Sequence, residues 1–226
     1  MNITNKFWGE YDSSIIFCED KYVESMYIAE FWNTISGLLY VCVGLYFMNT
    51  FVKNIGISLV VMGIGTIGLH GTLRWYGQWM DEMGMLALLF TMIKYACYDI
   101  SNYILYLILV TYMVFNNNHN IFLLMFVVLL FYQYKSSDKI IRNQVGLDYR
   151  KYYFICMIFG SICWGLDRLC FTKIINFHMY WHIFSAIGSL FGTFVFYEYN
   201  KQLYKAGNKI KHWYRKKKKI EKFVNH

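Results

Sequence analysis

Near position 180 the chain reads FHMYWHIF, which places His178 and His182 four residues apart in an apolar, aromatic stretch. On a helix that spacing stacks both imidazoles on one face. A third histidine, His70, lies in GTIGLHGTLRWYGQWMDEM, which also carries Thr66, Asp81 and Glu82. Neutral imidazole is a favoured zinc ligand, and three histidines plus one open position make a catalytic type of site. Zinc there would bring a water's pKa toward ~7 and polarise a carbonyl, while a carboxylate outside the ligand set, best placed in Asp81, takes the water's proton. A single histidine on an apolar helix is as readily an interfacial residue bonded to a backbone carbonyl. The elements that carry these residues therefore have to decide.

Seven apolar segments run through the chain, at about 31–49, 56–73, 80–98, 102–115, 120–134, 152–171 and 178–197. Some are shorter than the roughly 20 residues that cross a bilayer, but hardly a charge falls inside any of them. Only 16% of the 226 residues are charged, against roughly 25% in soluble domains. The expectation is an all-α, seven-transmembrane-helix bundle over 31–199, preceded by an acidic segment, 1–30, and followed by a basic tail, 200–226. The segment at 31–49 follows an acidic stretch and starts late, which does not suit a cleavable signal peptide.

Lys and Arg set the orientation. With the N-terminus outside, the connections on the inner side and the tail hold sixteen of them, against four on the outer side. That predicts an outer or lumenal N-terminus and a cytoplasmic C-terminus. The net charge of +8 is a property of the tail: residues 201–226 carry +9 and the remainder is close to neutral. A polybasic tail beside a membrane helix suits anionic lipid head groups better than nucleic acid.

With seven crossings, Glu30, His70, Asp81, Glu82, Asp167, His178 and His182 all fall at one membrane face. Ionisable groups at membrane depth are costly and mark function. Three histidines on one level beside an Asp favour the metal reading over the interfacial one. Trp8, Trp32, Trp75, Trp79 and Trp181 are expected in the aromatic belt of that interface, and Gly63, Gly65 and Gly68 are expected to let helices approach closely. Cys42, Cys97, Cys156 and Cys163 read as small apolar residues.

The stretches YIAEFWNTISGLLYV (Tyr27 to Val41), GTIGLHGTLRWYGQWMDEM (Gly65 to Met83), CWGLDRLC (Cys163 to Cys170) and FHMYWHIF together resemble the alkaline ceramidases. The resemblance runs from about Trp8 to Tyr199. These are seven-helix intramembrane zinc amidases related to the adiponectin-receptor type of membrane protein. It implies zinc on His70, His178 and His182, Asp81 as the proton-transfer residue, and Thr66 in the place of the family's helix-2 serine, its hydroxyl able to donate to an oxyanion. It also implies a disulfide between Cys18 and Cys170, both at the outer face, where an oxidising compartment permits one.

The family's calcium site precedes helix 1. Glu19 and Glu30 match two of its acidic ligands and Phe17 replaces a Trp whose backbone oxygen contributes, but Ile16 and Lys21 stand where the family has Asp and Asn. A hard dication needs six to eight oxygens, so weak or absent calcium binding is expected, with Lys21 filling the ion's place and pairing with Glu19 or Glu30; Asp12, Asp20 and Asn33 are the residues that could compensate.

The expected activity is zinc-dependent hydrolysis of the amide of ceramide, dihydroceramide or phytoceramide to a sphingoid base and a fatty acid, a step of sphingolipid metabolism. The substrate enters laterally from the bilayer. The expected location is the endoplasmic reticulum, Golgi or plasma membrane. The competing readings are a metal-stabilised heptahelical receptor without hydrolysis, and a hydrolase of another lipid amide or ester. Oligomeric state is not encoded in any pattern here.

Overall fold

A computed structural model describes residues 7–97, 100–116, 118–141, 147–170 and 172–224, with the backbone alone for 139, 141 and 209–224. The described residues form seven helices: α1 (Phe31–Phe47), α2 (Lys53–Thr72), α3 (Trp75–Ala96), α4 (Asn102–Val114), α5 (His119–Ile141), α6 (Leu147–Leu169) and α7 (Phe177–Val224). Three carry stretches long and apolar enough to cross a membrane, Lys53–Thr72, His119–Asp138 and Phe177–Asn208; α1 and α4 are apolar but shorter. The expected basic tail is a helical continuation of α7, and its side chains beyond Asn208 lie outside the described residues.

The buried face of α1 is unusual for a helix in a greasy chain, because it includes Asn33, Thr34, Ser36 and Tyr40. Large apolar residues such as Leu38, Leu45 and Tyr46 point outward. Polar groups that face the interior of such a bundle must find partners there, since hydrocarbon offers none. They mark the side on which the site lies.

Helix α2 sits between α1 and α3, and small residues set those contacts. A Cβ on Gly65 would lie 2.4 Å from the Asp81 amide nitrogen, and one on Gly63 would lie 2.8 Å from a Val41 side-chain carbon. Both are closer than any side chain tolerates, so glycine brings the backbones together at these points. Gly68, by contrast, makes only ordinary contact. The Gly65 crossing puts Thr66 of α2 directly against Asp81 of α3. Below it, Phe47, Ile55, Leu59, Met92 and Phe196 form the apolar core that ties α1, α2, α3 and α7 together.

The acidic N-terminal segment closes one end of this group. Glu19 accepts hydrogen bonds from the Trp32 and Asn33 amides at 2.7 and 2.9 Å, and Asp12 accepts from the Trp75 amide at 2.6 Å. Two of the acids therefore cap the starts of α1 and α3, where unpaired amides and the helix dipole favour negative charge. At the end of α2 the exchange is reversed. The amides of Ala29 and Glu30 donate to Gly71 and His70 carbonyls, both at 2.9 Å, and Leu73 turns the chain with φ 54°. Cys18 and Cys170 lie at disulfide distance, Cα to Cα 5.3 Å, fastening the same segment to the end of α6.

Helices α5 and α6 meet mainly at the opposite end. There Tyr153 donates to Gln133 at 2.9 Å and Arg150 pairs with Asp138. Elsewhere, among the described residues, few α5 and α6 backbone positions approach closely, leaving a gap that the His119 and Trp164 rings span at 6.2 Å between centroids.

Candidate metal centre and active site

Two of the three histidines are fixed through one ring nitrogen, and the third stands near a carboxylate. His70, in the last turn of α2, places Nδ1 2.6 Å from Glu30 Oε2. His182 Nδ1 lies 2.7 Å from Ser36 Oγ and 3.2 Å from the Asn33 carbonyl; Ser36 in turn donates to the Asn33 carbonyl at 2.9 Å, so the imidazole N–H points to Ser36. His178 Nδ1 stands 3.8 Å from Asp167 Oδ2. At His70 and His182, anchoring Nδ1 to an oxygen leaves the Nε2 lone pair for another purpose, the arrangement that metal-binding histidines use; His178 Nδ1 is buried without a hydrogen bond. One ring nitrogen from each of His70, His178 and His182 lies within 4.8 Å of the others, and all three residues are buried.

The donor set tests whether a metal fits. His70 Nε2 is buried and makes no hydrogen bond, although a buried polar atom without a partner costs about 1–3 kcal/mol. Three buried imidazoles whose ring nitrogens converge suit a metal cation of the zinc type. The Phe17 ring packs on His70 and His178, at 4.6 and 4.0 Å between centroids, and covers the cluster from the N-terminal segment.

Glu30 is 0% exposed, and an ionised carboxylate in that position must be paired. Its second oxygen, Oε1, lies 2.5 Å from Lys21 Nζ. That ammonium also donates to the carbonyls of Phe17 at 2.6 Å and Glu19 at 2.5 Å. Burial opposes the Glu30 charge, but the His70 hydrogen bond and the Lys21 ammonium hold its pKa below the usual carboxylate value. Lys21 thus pairs with the Glu30 carboxylate and the Glu19 backbone; the Glu19 carboxylate is taken up by α1 and by Asn176, at 2.7 Å. The oxygens expected around calcium do not fit a dication here, because an ammonium already lies among them. Ile16 is 60% exposed and offers no ligand, Asp12 is engaged at α3, Asp20 pairs with Lys173, and Asn33 Nδ2 bonds Glu30 at 3.0 Å.

Asp81 is placed by the Gly65 crossing. Thr66 Oγ1 lies 2.5 Å from Asp81 Oδ1 and 3.0 Å from the Met62 carbonyl. Thr66, Asp81, His178 and His182 line one cavity of about 360 Å³. Its remaining wall is largely apolar, with Phe122, Phe126, Val127 and Leu130 from α5 and Trp164 and Gly165 from α6. The cavity thus extends from the histidines to the gap between α5 and α6.

Two groups of residues add to the set expected from the sequence. Ser36 and Tyr40, the latter 2.5 Å from Ser185 Oγ and also lining the cavity, continue the polar stripe of Glu30 and Asn33 along α1; a 3.6-residue period of polar side chains is the signal that finds them. His119 opens α5 and also reaches the cavity. Its place in a short connection hides it from any periodicity. Trp181, expected in an interfacial belt, is instead 8% exposed and lines the cavity against Gly160; Trp8, Trp32 and Trp75 are exposed as a belt requires.

Comparison with known proteins follows the same residues. The profile of the ceramidase family matches residues 9–223. An alkaline ceramidase from Arabidopsis thaliana is 29% identical over 216 residues, covering 82% of this chain and 83% of the relative. The mouse alkaline ceramidase 3 is 24% identical over 236 residues, covering 88% of this chain and 87% of the relative. The match spans the N-terminal segment that carries Lys21 and Glu30, the α2–α3 crossing and the paired histidines of α7, and on that extent the chain belongs to the ceramidase family.

Proposed function

We propose that this protein is an amidohydrolase that cleaves the amide bond of ceramide, dihydroceramide or phytoceramide inside the bilayer, giving a sphingoid base and a fatty acid. The observation that carries the reading is the three-histidine cluster opening, beside the Thr66–Asp81 pair, into an apolar cavity that reaches the α5–α6 gap. Family membership and relatives named alkaline ceramidases supply the substrate class. A two-chained lipid needs an apolar lateral route, and the gap offers one.

The metal is zinc, on His70, His178 and His182; bound there, it supplies an acidified water and a Lewis acid for the amide carbonyl. Asp81 accepts the proton of the attacking water and passes it to the amide nitrogen as the C–N bond breaks. Thr66 holds Asp81 in place while the carboxylate is charged. Once Asp81 is protonated its claim on the Thr66 hydrogen weakens, and the hydroxyl can turn to the developing oxyanion. Glu30 and Ser36 keep the imidazoles of His70 and His182 oriented.

Calcium has no part in this reading, because the Lys21 ammonium stands in the place of a dication. In the proposed topology all seven helices cross the membrane, with the N-terminal segment and the site at the outer or lumenal face, Cys18 bonded to Cys170 in that oxidising space, and the basic end of α7 in the cytoplasm. The protein then resides in an endomembrane or the plasma membrane.

Purified protein assayed on a panel of ceramides, beside Asp81→Asn and after chelation, tests the reading. Turnover that requires zinc and vanishes in the variant is expected. No zinc-dependent turnover on any acyl chain would leave a metal-stabilised heptahelical protein without hydrolysis, and turnover confined to other lipids would move the substrate class.

A further inference from the structure

Among the described residues, His119 is the one histidine lining the cavity that the metal cluster does not use. It is the first residue of α5, its side chain is 12% exposed, and Nδ1 lies 2.9 Å from Glu82 Oε1. Glu82 is itself tightly held. Gln78 Nε2 donates to the same oxygen at 3.0 Å and Tyr112 donates to the other at 2.7 Å. Gln78 is locked in turn by Ser14, through bonds of 2.7 and 2.6 Å. The imidazole ring lies between Phe122 and Trp164, with centroids at 5.5 and 6.2 Å. Ring plane and Nδ1 are therefore both fixed.

What is left is Nε2, which is buried and has no partner. A carboxylate accepts only, so the proton of a neutral His119 sits on Nδ1 and Nε2 presents a lone pair. A preset acceptor in a largely apolar cavity recognises a hydrogen-bond donor, and it costs stability while no donor is there. Asp81 and the histidine cluster are committed to the scissile amide. The groups left on an N-acyl amino alcohol are its hydroxyls.

We infer that His119, held by Glu82, is the residue that recognises the substrate's amino-alcohol half, with Nε2 accepting a hydrogen bond from a hydroxyl next to the amide-bearing carbon. The inference rests on the amidohydrolase reading for the identity of the lipid, and it assigns discrimination to His119, outside the residues that handle the amide. Glu82 acts only through His119 and is a positioning residue. A fatty acyl amide without such a hydroxyl leaves Nε2 unpaired and is rejected.

The test compares a short-chain fluorescent ceramide with its 1-deoxy and 3-deoxy analogues on zinc-loaded, full-length protein in nanodiscs. The wild type should prefer ceramide over at least one analogue by about tenfold or more in kcat/KM, the scale of one buried hydrogen bond. In His119→Phe that ratio should fall to within about threefold, with the larger loss on ceramide. His119→Gln, which keeps an acceptor, should restore part of the ratio and serves if the Phe variant does not fold. Undiminished discrimination in His119→Phe, or equal loss on all three lipids, overturns the inference. Binding of the same lipids to Asp81→Asn separates the two claims. Discrimination in binding that depends on His119, with no turnover in the wild type, condemns only hydrolysis; binding indifferent to the hydroxyls condemns the role of His119.

Discussion

Lys21 Nζ lies 2.5 Å from Glu30 Oε1, while the other oxygen of the same carboxylate lies 2.6 Å from His70 Nδ1. An ammonium tethered to the chain is thus one carboxylate away from a proposed zinc ligand. Removing one partner of a buried ion pair costs about 3–5 kcal/mol, so Lys21→Met should destabilise the protein by about that much and lower zinc occupancy with it. Chelation by EGTA and addition of calcium should leave the wild type unchanged in activity and melting. In a variant carrying Ile16→Asp with Lys21→Asn, which restores oxygen ligands, calcium should raise the melting temperature. A wild type stimulated by micromolar calcium would show that Lys21 does not replace the ion.

The three histidines should bind the metal as one unit. Metal analysis of purified His182→Ala should find zinc lost. Ser36→Ala should keep it with an affinity roughly 10–100-fold weaker, because only the orientation of His182 is disturbed. Equal zinc content in all three proteins would place the metal elsewhere.

Thr66 and Asp81 should separate under mutation. Asp81→Asn should cost about 10²–10⁴-fold in kcat, the range of a proton-transfer group. Thr66→Ser keeps the hydroxyl and should stay within about threefold of the wild type. Thr66→Val keeps the shape, loses the hydrogen bond, and should fall by about tenfold or more. Wild-type rates in Thr66→Val would remove the hydroxyl from the mechanism.

Gly165 faces open space, with nothing near the position a Cβ would occupy, and it lines the cavity on the α6 side of the α5–α6 gap. Gly165→Phe should obstruct that mouth. The expected result is a larger loss of turnover on long-chain ceramides than on short-chain ones, read as a change in their kcat/KM ratio with zinc content unchanged. A uniform loss would indicate a folding defect and not a lipid route.

Much of this site is visible in the linear chain, for identifiable reasons. Histidines and acids inside apolar stretches stand out because membrane depth penalises them, and alternating helix direction is enough to collect His70, Asp81, His178 and His182 at one end. Long-range partners are less legible. His119 contacts Glu82 across the fold, and nothing in the short stretch before α5 announces it. Ser36 reads as an ordinary small residue until α7 brings His182 against it. Trp181 resembles the other interfacial tryptophans in sequence, and only its packing on Gly160 shows that it turns inward. The acidic segment reads as a calcium loop by resemblance; that its acids cap α1 and α3 follows from three-dimensional proximity.

The gap between α5 and α6, if lipids enter there as proposed, also changes which residues would govern selectivity. Val127 and Leu130 of α5 and Gly165 of α6 line the cavity on the two sides of that gap. On the proposed lateral route they are the threshold a lipid would cross. Relatives could then differ widely in the lipids they accept while sharing every histidine, and such preferences would be recorded in residues that never approach the amide.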